Sequence, residues 1–325
     1  MSAYPWQQSQ RDRLLSLRDR DKLPHALLLS GPPYVGKRDF AVALSSRLFC
    51  QTPQGSEPCG QCAGCHLINA DTHPDFRMVE PEDSRQIVVD QIRDLIDWAN
   101  QTAQQGGMRI VVVHPAEKMN PNAANALLKC LEEPGPQTLF MLVSDVPGRL
   151  LPTIRSRCQQ VTFTPPSAGE AFSWLRQVRP DIGDAELLLH IAGGSPLAVI
   201  QRFDEKYMER RQIVVEAIGE LLANGDVLDL ADRLVKADPL QSLEIMHSVF
   251  GDALKYQVTE DIKYIKNKDI QSIIEVVCRN LAVPRLLSAL DAVKRDQRIL
   301  EGPYNANATL LMESLLIELA SAGSL

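Results

Sequence analysis

His25-Ala-Leu-Leu-Leu-Ser-Gly31-Pro-Pro-Tyr-Val-Gly36-Lys37 sets an apolar run of strand character against a glycine-rich turn, and the next residues, 37–50, carry a helical pattern. Strand, glycine-rich loop and helix, in that order, form the context in which backbone N–H groups cradle phosphate oxygens. The lysine, here Lys37, reaches the terminal phosphates. Gly31, Gly36 and Lys37 meet the GxxxxGK spacing, but the next residue breaks the pattern. A working loop places Ser or Thr there to bind Mg²⁺ through its hydroxyl, whereas this chain has Arg38, and a guanidinium cannot ligate a cation. The apolar run 109–113 should end in acidic residues that hold the metal, yet it runs into His114-Pro115-Ala116-Glu117. Both halves of a metal site are therefore missing. Two readings suit the residues: a turn that only packs strand on helix, and weak nucleotide binding without hydrolysis. Neither ATP nor Mg²⁺ is expected to be bound functionally.

Working outward, short apolar runs alternate with longer amphipathic ones, the sequence form of a parallel sheet flanked by helices. Strands are expected at 26–30, 76–80, 109–114, 139–144 and 160–163, and helices at 37–50, 88–100 and 121–133. The last helix opens with Asn120 as N-cap and Pro121 at its first position, and its apolar stripe is Ala124, Leu127, Leu128 and Leu131. After Thr164-Pro165-Pro166 the strand pattern stops. The remainder of the chain is helical only: 168–178 and 185–192, a break at Gly193-Gly194-Ser195-Pro196, then 211–223, 240–256, 270–280 and 311–321. The fold class is α/β followed by all-α.

The 325 residues predict two or three domains, and 34 Lys+Arg against 41 Asp+Glu leave a net charge of −7. An acidic chain does not coat nucleic acid by counterion release, so any DNA role is expected to be shared with partners. No apolar run reaches the roughly 18 residues of a membrane span, and the start MSAYPWQQSQRDR has no apolar core of a secretion signal. A cytoplasmic protein without membrane attachment is expected.

Seven cysteines are present, an odd number unsuited to a complete disulfide set, and four of them cluster. Cys59-Gly-Gln-Cys62-Ala-Gly-Cys65 supplies two overlapping CxxC turns, and Cys50 completes a tetrahedral set of four thiolates. Four thiolates with no open position describe a structural Zn²⁺ site. Iron–sulfur ligation uses similar turns, but its fourth Cys beside a Pro is absent downstream, and unmetallated thiols are the remaining reading. A zinc enzyme would need an open coordination position. His66 and His73 lie close in sequence but read more simply as surface or turn residues.

These residues together resemble the AAA+ clamp-loader family that serves bacterial DNA polymerase III. The resemblance covers most of the chain. It is carried by YPW at 4–6, HALLLSGPPYVGK at 25–37, the four cysteines, THPDF at 72–76, AANALLKCLEEP at 123–134 and RSRC at 155–158. It implies an AAA+ RecA-like five-stranded domain over 1–164 with a zinc-binding insertion at about 50–66, a small helical lid domain over 165–205, and a helical collar domain over 206–325 that mediates oligomerisation. It further implies that Arg157, within Ser156-Arg157-Cys158, is an arginine finger presented in trans to the ATP site of a neighbouring subunit. A lone arginine before a strand would otherwise be one more solvated cation. Arg155 fits either a helper or an intramolecular ion-pair partner. Gly194-Ser195-Pro196-Leu197-Ala198 stands where motor members of the family place a nucleotide-sensing arginine, and Leu197 cannot serve. Arg38, the missing acidic pair and Leu197 together fit the non-hydrolysing branch, in which Lys37 is a remnant whose removal changes little.

The partners so implied are gamma or tau motor subunits and a delta subunit in a pentamer that loads the sliding clamp onto primed DNA. The chain would act as a stator, with no catalysis of its own. The alternative is an active AAA+ ATPase motor subunit, against which Arg38 and His114 weigh. Lys118, Lys129 and the helix start at 119–122 either face DNA or are solvated surface.

Overall fold

A computed structural model describes residues 3–82, 85–105, 107–135, 137–203, 206–302 and 306–321. The chain divides into two compact units, Met1–Glu170 and Ala171–Leu325. The domain edges expected at 1, 205 and 325 fall on residues outside those described.

In the first unit five strands, β1 (Ala26–Ser30), β2 (Phe76–Val79), β3 (Arg109–Val113), β4 (Thr138–Ser144) and β5 (Gln159–Thr162), form one parallel sheet in the order β2-β3-β4-β1-β5. Each lies within a residue of its expected bounds. Leu28 of β1 sits opposite Leu142 of β4 on one side and Gln160 of β5 on the other. The near-continuous apolar runs follow from burial of both faces of a parallel sheet, where alternate side chains enter opposite layers. Leu28, Val111, Val113, Phe140 and Leu142 enter one core with Ile92, Leu95, Leu127 and Leu131 of the helices Val89–Ala99 and Pro121–Glu132. Leu27, Leu29, Ile110, Val112, Met141 and Val143 enter the other with Leu14, Leu15, Phe40 and Leu44 of the helices Gln8–Asp19 and Lys37–Phe49.

The predicted cap is present: the Asn120 side chain accepts from the Ala123 N–H at 2.8 Å, and Pro121 opens the helix. Such a cap contributes about 1 kcal/mol. In a sheet of this kind ligands are met at the carboxyl ends of the strands, which is where the loop 31–37, Glu80, His114 and Asp145 lie.

The second unit is helical among its described residues and holds two separate cores. A small one joins Ala171, Leu175, Ala185, Leu188, Leu189 and Val199. A large one is built on the helices Tyr207–Leu222, Val227–Ala237, Pro239–Thr259, Gln271–Asn280, Val283–Glu301 and Ala308–Ser321. Buried Asp252 ties down the segment before Gln271, accepting from the Lys266 and Asn267 backbone N–H groups and the Asn267 side chain, each at 2.8 Å.

Candidate functional site

Three features stand at the expected positions: the loop after β1, the cysteine cluster and the end of a short helix before β5. The loop depends on its two glycines. Gly36 holds φ +82°, and a Cβ there would lie 2.5 Å from the Tyr4 ring; at Gly31 a Cβ would meet the Phe163 carbonyl oxygen at 2.2 Å. Lys37 opens the helix Lys37–Phe49, but its side chain turns back on the loop. It donates to the carbonyls of Gly31 at 2.8 Å and Pro32 at 2.5 Å and pairs with the Asp145 carboxylate at 2.7 Å, at 4 % exposure. An ammonium has three protons, so protein oxygens take them all. Lys37 is thus a buried strut between the loop and the end of β4.

The amino-terminal turn closes over this loop. The Gln7 side chain donates to the carbonyls of Val35 at 2.9 Å and Gly36 at 2.8 Å, and the Trp6 indole to Val35 at 3.1 Å. The Tyr4 hydroxyl donates to Asp39 at 2.7 Å, and burial together with that carboxylate pushes its pKa up. Tyr4 and Trp6 stack with ring centroids 4.9 Å apart.

Arg38 stands where the metal-binding hydroxyl would. It grips Glu80, just beyond β2, through Nε at 2.8 Å and Nη2 at 3.2 Å, and His114 Nδ1 lies 3.1 Å from the same carboxylate. The Arg38 hydrogen bond holds Glu80 below the usual carboxylate range. Glu117, the acid nearest the end of β3, accepts from the Asp145 backbone N–H at 3.0 Å. The position that needs anionic ligands for Mg²⁺ therefore carries a cation whose carboxylate partner is already neutralised.

The sulfurs of Cys50, Cys59, Cys62 and Cys65 all lie within 4.8 Å of one another. The Cys59–Cys65 and Cys62–Cys50 separations are each 3.9 Å, close to the edge of a tetrahedron with about 2.3 Å bonds to zinc. Cys50 follows the helix Lys37–Phe49 and Cys65 lies in the helix Ala63–Asn69, so two helices fix two of the thiols. Backbone N–H groups point at the sulfurs, from Cys59 to Cys50 at 3.2 Å and from Cys62 to Cys59 at 3.4 Å. A hydrogen bond from Thr52, with backbone N–H groups of Gln61 and Cys62, draws the Cys59 thiol down to about 5, favouring the thiolate a metal requires. This cluster could hold a zinc ion, and the donor set fits it. His73 is buried, stacks on Phe49 at 3.8 Å and uses its Nδ1 to accept from the Asp75 N–H; His66 is exposed. Neither belongs to the group of ligands.

Arg157 ends the helix Pro152–Arg157, which is anchored by buried Ile154 and followed by buried Cys158. Its guanidinium pairs with Glu132 at 2.5 Å and donates to the Thr153 carbonyl at 2.9 Å. Ser156 and Arg155 are exposed, and Ser156 also donates to Thr153, at 3.0 Å. Among the described residues the intramolecular ion pair thus falls to Arg157, and Arg155 has no carboxylate partner. Lys118 and Lys129 are exposed, and Leu197 is buried in the second unit. Asp145, Glu80, Gln7 and Glu132 were not predicted. The first two could have been noticed as acids directly after a strand, whereas nothing local marks Gln7 or Glu132.

A parallel sheet in this order, with a glycine-rich loop and helix after β1, a Cys₄ cluster and Ser-Arg-Cys before β5, brings together in one unit the features on which the sequence resembles clamp-loader subunits. Family models described as DNA polymerase III, delta subunit, and DNA polymerase III, delta subunit, C terminal, match residues 6–167 and 205–321. The chain belongs to the DNA polymerase III delta' subunit family. It is 38% identical to the delta' subunit of Pseudomonas aeruginosa, covering 98% of this chain and 97% of that one. To the delta' subunit of Escherichia coli it is 32% identical, covering 98% and 96%. To that of Bacillus subtilis it is 30% identical, covering 93% and 92%. It is thus an accessory subunit of the polymerase holoenzyme. No helix among the described residues is long and apolar enough to cross a membrane.

Proposed function

We propose that this chain is the non-hydrolysing stator of the clamp loader, lending Arg157 to the ATP site of an adjacent gamma or tau subunit. The observation that carries the first half is Lys37: its three protons are held by Gly31, Pro32 and Asp145, while Arg38 and Glu80 neutralise each other where Mg²⁺ would bind. A phosphate would have to displace a buried ion pair and the turn formed by Tyr4, Trp6 and Gln7. The second half is supported by the Ser-Arg-Cys motif and by the place of Arg157 at a helix end, with its side chain 35% exposed. A guanidinium against a γ-phosphate stabilises the charge that develops in phosphoryl transfer, an effect of about 10³-fold or more.

In this reading the four cysteines hold a structural Zn²⁺. The two cores of the helical unit support a lid over 165–205 and a collar over 206–325 through which the chain joins the motor and delta subunits. The sliding clamp and primed DNA are met through the complex, in a cytoplasmic replisome. The test is DNA-stimulated ATP turnover by purified motor and delta subunits with sliding clamp, with and without this chain, beside the chain alone. A silent chain that raises turnover of the mixture is expected; hydrolysis by the chain alone overturns the stator.

A further inference from the structure

Arg157 has four rotatable side-chain bonds, and a finger delivers its charge only where its plane is fixed. Two contacts fix it. Nη1 donates to the Thr153 carbonyl at 2.9 Å, one turn back in its own helix, and Nη2 meets the Glu132 carboxylate at 2.5 Å. A guanidinium carries five N–H donors, so three remain for another group's oxygens. Glu132 is the last residue of the helix Pro121–Glu132, which the Asn120 cap and buried Leu127 and Leu131 fasten to the sheet. The carboxylate is therefore borne on a rigid element, 25 residues away in sequence yet in contact. Arg155, two residues off with the same charge, has no carboxylate partner among the described residues.

We propose that Glu132 is a positioning residue that orients the Arg157 guanidinium for the neighbouring γ-phosphate. This rests on the reading of Arg157 as a finger. The pair is half exposed, with side chains 35% and 48% accessible, so it fixes geometry without trapping the charge. Orientation acts on the chemical step more than on nucleotide binding, because the charge it serves is greatest in the transition state.

The experiment is steady-state, DNA-stimulated ATP turnover by the assembled loader carrying this chain as Glu132→Ala, Glu132→Asp, Arg157→Ala or the double variant Glu132→Ala/Arg157→Ala. Glu132→Ala is expected to slow the finger-fed site about tenfold, read as loss of most of that site's share of the total kcat, with KM for ATP within about twofold, and Glu132→Asp to recover part of the loss. The double variant should be no slower than Arg157→Ala, since an orienting group has nothing left to orient. Melting of the Glu132→Ala chain at the wild-type temperature separates this from misfolding. Wild-type or raised kcat in Glu132→Ala overturns the positioning role, the latter by making the carboxylate a restraint. Further slowing by Glu132→Ala in the Arg157→Ala background overturns it too. Wild-type turnover in Arg157→Ala refutes the finger itself and this inference with it.

Discussion

Replacing Lys37 by alanine removes an ammonium at 4 % exposure from three oxygens at 2.5 to 2.8 Å and leaves Asp145 without its partner. Breaking a buried ion pair costs about 3–5 kcal/mol when the orphaned charge stays dry. Asp145 is 34% exposed and regains part of its hydration, and water entering the vacated space can serve the two carbonyls, so about 2–3 kcal/mol is expected. At about 2–4 °C per kcal/mol for a unit of this size, the first unit should melt about 5–10 °C lower. Trp fluorescence reads it, since Trp6 and Trp98 lie in the first unit and Trp174 in the second. The sequence alone made Lys37 a remnant whose loss changes little; the contacts with Gly31, Pro32 and Asp145 give it a stabilising task, and turnover of the complex is expected to be unchanged by its loss. The companion measurement adds ATP and Mg²⁺ to the wild-type chain. A ligand at about 100 times its Kd stabilises by about 2.7 kcal/mol, whereas no shift is expected up to about 1 mM. An alanine variant that melts within about 1 °C of the wild type would refute the strut. A clear upward shift with ATP would show that the lysine exchanges Asp145 for phosphate.

Cys59→Ser should abolish binding of about one zinc ion per chain and speed hydrogen exchange and proteolysis over 50–66 before the sheet is affected; an unchanged exchange pattern contradicts the zinc reading. Glu80 has its pKa lowered by Arg38 and His114, so its contribution is present above the unfolded carboxylate pKa and is lost as pH falls through the folded one. With the pair well exposed this is at most about 1 kcal/mol, and Glu80→Gln should flatten the acid limb of stability below about pH 4.5; an equally steep limb denies the pair its role. Gly36→Ala meets both a φ of +82° and the Tyr4 ring, and should cost about 1–3 kcal/mol by thermal melting. Gly60→Ala, at φ +73° with nothing within 4 Å, should cost less; equal losses would mean that the amino-terminal turn does not press on the loop.

The sheet was legible because both of its faces are buried: runs such as Ala26-Leu-Leu-Leu-Ser30 and Arg109-Ile-Val-Val-Val113 can be satisfied only between two layers of helices. The cysteine cluster was legible for a related reason, since CxxC turns bring their sulfurs together locally and only Cys50 required the chain to return. Partnership at a distance remained hidden. The GxxxxGK spacing is the same whether its lysine faces a phosphate or Asp145, which is 108 residues away. Arg38 could be seen as unable to bind Mg²⁺, but not that it would pair with Glu80 and share it with His114. The pairing of Arg157 with Glu132 depends on how two helices pack beneath the sheet, and no spacing encodes it.

On the proposed reading, Arg157 acts in another subunit's ATP site while this chain hydrolyses nothing. DNA-stimulated ATP turnover by the reconstituted loader should be measured with the wild-type chain and with Arg157→Ala, the chain alone serving as blank. With assembly confirmed by gel filtration, an intact complex and a silent blank are expected, with turnover at the finger-fed site reduced by about 10³-fold, seen as loss of that site's share of the total. Undiminished turnover with Arg157→Ala, or hydrolysis in the blank, would contradict it.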